Sequence, residues 1–214
     1  MRKDLTEMVF ILDRSGSMAG LEADTIGGFN AMVEKQRKEE GKAVLSAVLF
    51  SDRSCVIYDR TDINEVSPMT DKEYQVGGTT ALLDAIGGAV HHIKNVHKYA
   101  REEDRPEKTV FVITTDGMEN ASREYTYDGV SRMVAEQQEN GWEFLFLGAN
   151  MDAISAAKSF GIRSDHAVTY EADAVGTRLN FDVVSNALGS IRRKEKLDAS
   201  WKAEIEKDHE QRKK

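Results

Sequence analysis

The sequence predicts an α/β fold: a doubly wound, mostly parallel sheet of six strands, with one antiparallel edge strand and helices on both faces. Short and almost continuously apolar runs alternate along the chain with stretches of helical periodicity, an order typical of this class. One neighbouring pair of apolar runs lacks an intervening helix. The chain has 214 residues, a length that suits one domain.

Six runs rich in β-branched, aromatic and aliphatic residues are the expected strands. They cover residues 5–12, 43–50, 54–59, 109–115, 142–147 and 167–170. Most are apolar at nearly every position, as strands buried on both faces of a parallel sheet are. Only Ser51, Asp52 and Arg53 separate the second run from the third, which is too short for a crossover helix. We therefore expect a hairpin whose second strand lies antiparallel at an edge of the sheet.

Helical periodicity fills the segments between the strands. Apolar residues recur three and four positions apart within residues 26–33, 81–100, 130–137, 152–160 and 179–191. The alternation of strand and helix predicts a Rossmann-like architecture, in which ligands bind beyond the carboxyl ends of the strands.

The end of the chain is expected to extend beyond the domain. We assign residues 1–191 to the domain and residues 192–214 to a charged C-terminal helical extension. In this extension the apolar residues thin to Leu197, Trp201 and Ile205. Because these three are four positions apart, we expect one helix over residues 174–205 that frays past Glu206.

Composition excludes several classes of function. The net charge is -8, whereas nucleic-acid binding needs clustered Lys and Arg, so we expect no nucleic-acid partner. Cys55 is the only cysteine, which excludes an intrachain disulfide. No apolar run approaches the ~18 residues of a membrane span. The first residues lack the apolar region of a signal peptide, so we expect a cytoplasmic protein without a membrane partner.

Oxygen-bearing side chains fill three loops at the expected carboxyl ends of the strands. These loops read DRSGS at 13–17, GGTT at 77–80 and TDG at 115–117. Each alone is typical of an ordinary turn or helix entry. Together they bring two carboxylates and three hydroxyls to one end of the sheet. An all-oxygen donor set suits a hard cation such as Mg²⁺, and the absence of nitrogen and sulfur argues against zinc and copper.

The same residues carry a resemblance to a known family. Asp13-x-Ser15-x-Ser17, then Thr79, then Asp116 resemble the metal-ion-dependent adhesion site of von Willebrand factor type A domains. The resemblance covers about residues 5–190, and the strings LDRSGSM and GGTTALLDAI are most similar to small intracellular bacterial members. Either Thr79 or Thr80 supplies the third hydroxyl. We choose Thr79, because the ligand in the family usually follows the glycine directly.

The resemblance implies a role for each of these residues. Ser15 and Ser17 would bind Mg²⁺ directly, with Mn²⁺ or Ca²⁺ as substitutes. Thr79 would bind directly or through water, and Asp13 and Asp116 mainly through water. An Asp or Glu of a partner protein would complete the coordination. The domain would then be a metal-dependent protein-interaction module without a small-molecule substrate, and by analogy its last helix would move on binding.

Two other classes of function have weaker support. A metal-dependent hydrolase needs a positioned general base or a second metal ion, and the five histidines lie outside the three loops. We therefore expect no enzymatic activity. A regulatory or structural subunit of a kinase-, phosphatase- or ATPase-associated system, in which the ion mainly stabilises the fold, is compatible with the pattern. Asp84, on the helix after the second loop, is expected to hydrogen-bond the loops from behind.

Overall fold

The computed structural model describes residues 1–213; Lys214, the last residue of the predicted extension, lies outside the described residues. The strands are β1 (Arg2–Asp13), β2 (Lys42–Phe50), β3 (Ser54–Asp62), β4 (Pro106–Thr115), β5 (Glu143–Ala149) and β6 (Ala167–Tyr170). The helices are α1 (Glu22–Arg37), α2 (Leu82–Tyr99), α3 (Tyr127–Glu139), α4 (Ala153–Ser159), α5 (Ala174–Arg192) and α6 (Ala203–Arg212).

The six strands form one sheet in the order β3-β2-β1-β4-β5-β6. β1 pairs in parallel with both β2 and β4, and β5 and β6 continue the parallel arrangement. β3 pairs antiparallel with β2 and lies at the edge, as the short connection predicted. The predicted fold class is therefore confirmed. The strand order reverses between β1 and β4, and in sheets of this kind the crevice at that position is where ligands bind.

Each face of the sheet carries its own apolar core. In β1, Met8, Phe10 and Leu12 belong to the core that also contains residues of α1, α5 and α6. Val9 and Ile11 belong to the core shared with α2, α3 and α4. Successive side chains of a strand alternate between the two faces, so a central strand must be apolar at every position when both faces are covered. This explains the continuous apolar run at residues 8–12.

Three helices begin at side-chain caps that fix where the preceding loop ends. In each, the side-chain oxygen of the cap accepts a hydrogen bond from the backbone N–H three residues later, at α3, α4 and α5. Such a bond satisfies one of the free N–H groups of the first helical turn. The caps are Thr126, Asp152 and Asp173. Within residues 1–213, no helix has the length and apolar character needed to cross a membrane.

The predicted continuous helix over residues 174–205 is wrong. α5 ends at Arg192, the chain turns at Lys194 with a φ of 65°, and α6 returns to pack against β6. Leu197, Trp201 and Ile205 join the core of the α1 and α5 face. The helix continues to Arg212, beyond Glu206, where fraying was expected.

Two polar contacts tie the same segment to the connection into β6. The indole Nε1 of Trp201 donates to the carbonyl oxygen of Asp165 at 2.9 Å. The ammonium group of Lys202 donates to the carbonyl oxygen of Ala167 at 2.7 Å. The three apolar side chains therefore belong to a segment that folds back and packs against β6, at the edge of the sheet.

We predict that Ile205→Ala lowers the free energy of unfolding by about 2–5 kcal/mol, because it leaves a cavity beneath α6. Ile205 is 1% exposed. The measurement is urea unfolding followed by circular dichroism. Lys207→Ala, at an exposed position of the same helix, is the control and should change the stability by less than about 0.5 kcal/mol. Equal small effects of the two variants would mean that α6 does not pack as described.

Candidate metal centre

The two predicted acidic residues lie at the ends of neighbouring strands. Asp13 is the last residue of β1, and Asp116 directly follows Thr115, the last residue of β4. β1 and β4 pair in parallel, so their carboxyl ends meet at one edge of the sheet. Both side chains are buried. The parallel pairing at the point where the strand order reverses therefore brings the two carboxyl groups together.

A chain of hydrogen bonds connects four of the five predicted residues. Asp13 Oδ1 accepts from the backbone N–H of Ser15 at 2.7 Å. The hydroxyl oxygens of Ser15 and Ser17 are 3.1 Å apart, and the Ser17 hydroxyl donates to Asp116 Oδ1 at 2.5 Å. The other oxygen of Asp13, Oδ2, accepts from the Thr115 hydroxyl at 2.6 Å. The structure thus brings Asp13, Ser15, Ser17 and Asp116 into one polar cluster.

The fifth predicted residue is a threonine, and the structure distinguishes between the two alternatives that the sequence left open. Thr79 is exposed, whereas Thr80 is buried. A Cβ atom placed on Gly117 would lie 3.3 Å from Thr80 Oγ1 and 3.6 Å from Ser17 Oγ, so both hydroxyls border the same small space. The structure therefore favours Thr80 over the chosen Thr79 as the threonine at the cluster.

Two hydrogen bonds with Asn120 hold Thr80 in this position. The side-chain oxygen of Asn120 accepts from the backbone N–H of Thr80 at 2.9 Å, and the backbone N–H of Asn120 donates to the Thr80 carbonyl oxygen at 3.0 Å. Both polar groups of the Thr80 backbone are therefore held by the loop that follows β4. The sequence offered no periodic signal for Asn120, because its partner is 40 residues away in an irregular segment.

The glycine-rich loop is hydrogen-bonded directly to the loop after β1. The Gly16 N–H donates to the carbonyl oxygen of Gly78 at 3.1 Å, and the Gly77 N–H donates to that of Arg14 at 2.9 Å. Gly78 has a φ of +83°, and a Cβ there would lie 2.6 Å from Asp52 Oδ1. Only glycine meets both demands without strain. The close approach of these two loops places Thr80 beside the serines.

Two further carboxylates hold the loop after β4 against the start of α2. Asp84 accepts from the backbone N–H groups of residues 123, 124 and 125 at 2.8–2.9 Å, which confirms its expected place behind the loops. Glu119 accepts from the Leu83 N–H at 2.8 Å and from the Ser122 hydroxyl at 2.7 Å. Sequence reasoning did not assign this anchoring role to Glu119. The anchored loop keeps Asp116 in register with the two serines.

Tyr74 is a residue that sequence reasoning missed. Its ring is fully buried, and its hydroxyl donates to the carbonyl oxygen of Asp13. This bond ties the long connection between β3 and α2 to the end of β1. An isolated tyrosine in a polar connection carries no pattern that would have revealed this contact.

Burial raises the pKa of both clustered carboxyl groups. Desolvation raises the pKa of Asp13, and hydrogen bonds from Ser15 and Thr115 oppose the rise. Desolvation also raises the pKa of Asp116, the hydrogen bond from Ser17 opposes it, and the negative charge of Asp13 adds to it. Within residues 1–213, no salt bridge joins either carboxylate to a basic side chain. When both are ionised, these two groups carry a negative charge that a bound cation would offset.

The donor chemistry fits a hard divalent cation. The cluster offers hydroxyl and carboxylate oxygens, which are the ligands that Mg²⁺, Mn²⁺ and Ca²⁺ prefer. Within residues 1–213, no group of three or more His, Cys, Asp or Glu is arranged to hold a metal ion. The candidate centre therefore depends on the hydroxyls of Ser15, Ser17 and Thr80 as much as on its two acids.

Comparison with known proteins agrees with this architecture. The profile of the von Willebrand factor type A domain family matches residues 7–179. A search of curated protein sequences finds no significant match. Among solved structures, proximal thread matrix protein 1 from the mussel byssus, with a zinc-occupied MIDAS motif, is similar with a TM-score of 0.60 and 15% identity. That similarity covers 87% of this chain and 46% of the mussel protein, so this chain spans less than half of its length.

Two bacterial pilus proteins have the same fold. The vWF domain of the type V pili tip protein Mfa5 from Porphyromonas gingivalis has a TM-score of 0.63 at 11% identity, covering 92% of this chain and 99% of that one. The open conformation of the pilus adhesin SpaC from Lactobacillus rhamnosus GG has a TM-score of 0.64 at 10% identity, covering 89% and 30%. Because the family profile spans most of the sequence, the chain belongs to the von Willebrand factor type A domain family.

Proposed function

We propose that this domain binds Mg²⁺ at the carboxyl ends of β1 and β4 and, through that ion, binds an Asp or Glu side chain of a partner protein. Domains of this family mediate protein–protein interactions, often through a metal ion. The observation that carries the proposal is the convergence of two buried carboxylates and three hydroxyls with no basic side chain paired to the acids within residues 1–213.

The hydroxyls and the carboxylates would have different parts in holding the ion. Ser15, Ser17 and Thr80 supply neutral oxygens, which leave most of the charge of the ion unquenched. Asp13 and Asp116 would offset part of that charge. Asp13 also holds the backbone N–H of Ser15, and Asp116 orients the Ser17 hydroxyl by accepting its hydrogen bond. An ion held mainly by neutral ligands supplies a strong electrostatic attraction for an outside carboxylate. This is the chemistry that recognition of an acidic side chain requires.

The overall charge of the protein does not oppose an acidic partner at this site. The net charge is -8, which by itself repels other acidic surfaces. Screening limits that repulsion to about 8–10 Å at physiological ionic strength, whereas a bound divalent ion dominates the field at contact distance. Capture of an acidic side chain is therefore expected to depend on the ion.

The residues around the cluster support a function in binding, without a catalysed reaction. Two histidines of α2 are engaged elsewhere: His97 lies 2.6 Å from Glu7, and His92 lies 2.9 Å from Asp59. Neither contact belongs to the cluster. A hydrolytic site would need a base positioned beside the reacting atom, and the hydroxyls and acids of the cluster are hydrogen-bonded to one another.

We predict that Mg²⁺ and Mn²⁺ raise the melting temperature of the wild type and leave that of Asp116→Asn unchanged. An ion that binds only the native state, at 100 times its Kd, adds about 2.7 kcal/mol, which corresponds to roughly 5–10 °C for a domain of this size. The measurement is thermal unfolding in EDTA and in each ion. Asp71→Asn, an exposed acid, is the matched control and should respond like the wild type. An equal shift in Asp116→Asn would place the ion elsewhere.

We predict that Thr80→Val weakens Mg²⁺ binding at least about tenfold, whereas Thr79→Val does not change it. Both variants remove one hydroxyl and keep a β-branched side chain, so they isolate the oxygen that contacts the ion. The measurement is isothermal titration calorimetry with Mg²⁺ or Mn²⁺. The reverse pattern would restore Thr79 as the ligand and exclude the assignment of Thr80.

A further inference from the structure

A pocket beside the candidate metal centre is lined mainly by apolar side chains. It has a volume of about 520 Å³ and lies between the loop after β4 and helix α4. We call it the apolar groove and define it by Leu82, Met118, Tyr127, Met151, Ala156 and Phe160. Its size is within the ~300–1,000 Å³ typical of binding pockets.

The apolar groove is preformed and open to solvent. Tyr127 stacks on Phe160, with ring centroids 5.6 Å apart and planes 9° from parallel, and Phe160 also contacts Phe146. Met118 is 70% exposed and Tyr127 is 43% exposed. Contiguous exposed apolar surface of this kind is typical of interaction sites, because its contact with water is unfavourable.

The acidic side chains around the groove are already used within the chain. Glu119 accepts hydrogen bonds from the backbone of Leu83, Ala121 and Ser122. Asp152 caps α4 by accepting from the backbone N–H of Ser155 at 3.1 Å. The rest of the surface that an occupant meets is mainly apolar. This lining favours an apolar occupant.

The groove is continuous with the candidate metal centre. Gly117 lines the groove and, by the position a Cβ would take, also borders the hydroxyls of Thr80 and Ser17. It lies between Asp116 of the centre and Met118 of the groove. A chain whose carboxylate reaches the hydroxyls can therefore place a neighbouring residue beside the groove, since an extended chain advances ~3.3 Å per residue.

We infer that the apolar groove receives a large apolar side chain of the partner, one or two residues from the acidic residue that binds through the ion. This inference rests on the proposed function and names the partner more closely: a segment that combines an acid with a neighbouring Leu, Met, Phe or Trp. Met118, an unbranched and polarizable side chain at the entrance, adapts to occupants of different shape.

The test uses a phage-displayed library of random peptides with a fixed central Asp, selected on the full chain in Mg²⁺ and eluted with EDTA. A matched library with a central Asn shows whether the acid is needed. We expect EDTA-eluted peptides from the Asp library to be enriched in large apolar residues within two positions of the Asp. Met118→Gln should weaken binding of a selected peptide about five- to tenfold. Val56→Thr, at an exposed apolar position of β3, should not.

The outcomes separate this inference from the proposed function. Peptides that require Asp and elute with EDTA, but show no apolar preference, would overturn the groove and leave the metal-dependent function intact. Apolar peptides that survive EDTA would overturn the coupling between groove and ion. No EDTA-elutable peptide from either library would overturn both proposals. Unchanged Mg²⁺ affinity in Met118→Gln, measured by calorimetry, shows that this variant alters the groove alone.

Discussion

The parallel pairing of β1 with β4 places two carboxylates at the ends of adjacent strands, and the loops around them are built on that juxtaposition. Asp13 and Asp116 are each buried. Burying one carboxylate is unfavourable unless it is hydrogen-bonded or paired, and burying two side by side adds their mutual repulsion. The serine loop and Thr115 supply hydrogen bonds to this pair, but hydrogen bonds do not cancel its charge. The remaining charge is what makes the cluster a candidate for a cation.

Glu7, another buried acid of β1, has its charge compensated in a different way. Glu7 is fully buried, and its oxygens lie 2.5 Å from Arg60 Nε and 2.6 Å from His97 Nε2. Thr109 donates to it as well, at 3.3 Å. The chain therefore compensates a buried carboxylate with its own basic groups where its role is structural. At Asp13 and Asp116 the described residues supply hydroxyl and backbone N–H donors but no basic side chain, an asymmetry that is consistent with an ion-binding role for that end of the sheet.

Some residues of the loops around the cluster present oxygens to it, and others hold the backbone of these loops in place. Ser15, Ser17 and Thr80 present hydroxyls to a shared space. The side-chain oxygens of Asp84, Glu119 and Asn120 accept hydrogen bonds from backbone N–H groups of the neighbouring loops and of α2. These bonds restrict segments that would otherwise be mobile, so that the hydroxyls are arranged before a ligand arrives. Preorganised sites of this kind lose less entropy on binding.

The same anchored loop connects the polar cluster to the apolar groove. Asp116 belongs to the cluster, Gly117 borders both, and Met118 borders the groove. Glu119 then fixes the loop to α2. Because these four residues are consecutive, any shift of the loop would move the cluster and the groove together. A partner that uses both would therefore contact one continuous surface.

The sequence by itself determined the fold class, the edge hairpin and the end of the sheet where the acids and serines meet. These features follow from local patterns: continuous apolar runs, helical periodicity, a connection of three residues and polar residues at strand ends. In a parallel sheet, an Asp at the carboxyl end of a strand lies at the edge where the neighbouring strands also end. Asp13, Ser15, Ser17 and Asp116 could therefore be placed near one another without coordinates.

Only the tertiary structure showed that Thr80 is buried beside Ser17 while Thr79 is exposed, and only the tertiary structure decided the course of the C-terminal segment. Adjacent residues differ in direction, and which threonine is buried depends on Asn120, 40 residues further along the chain. Likewise Leu197, Trp201 and Ile205 have the spacing of a continued helix, yet the turn at Lys194 returns them to the core. In both cases the deciding contacts join segments distant in sequence, and local periodicity carries no information about which distant partner a side chain will meet.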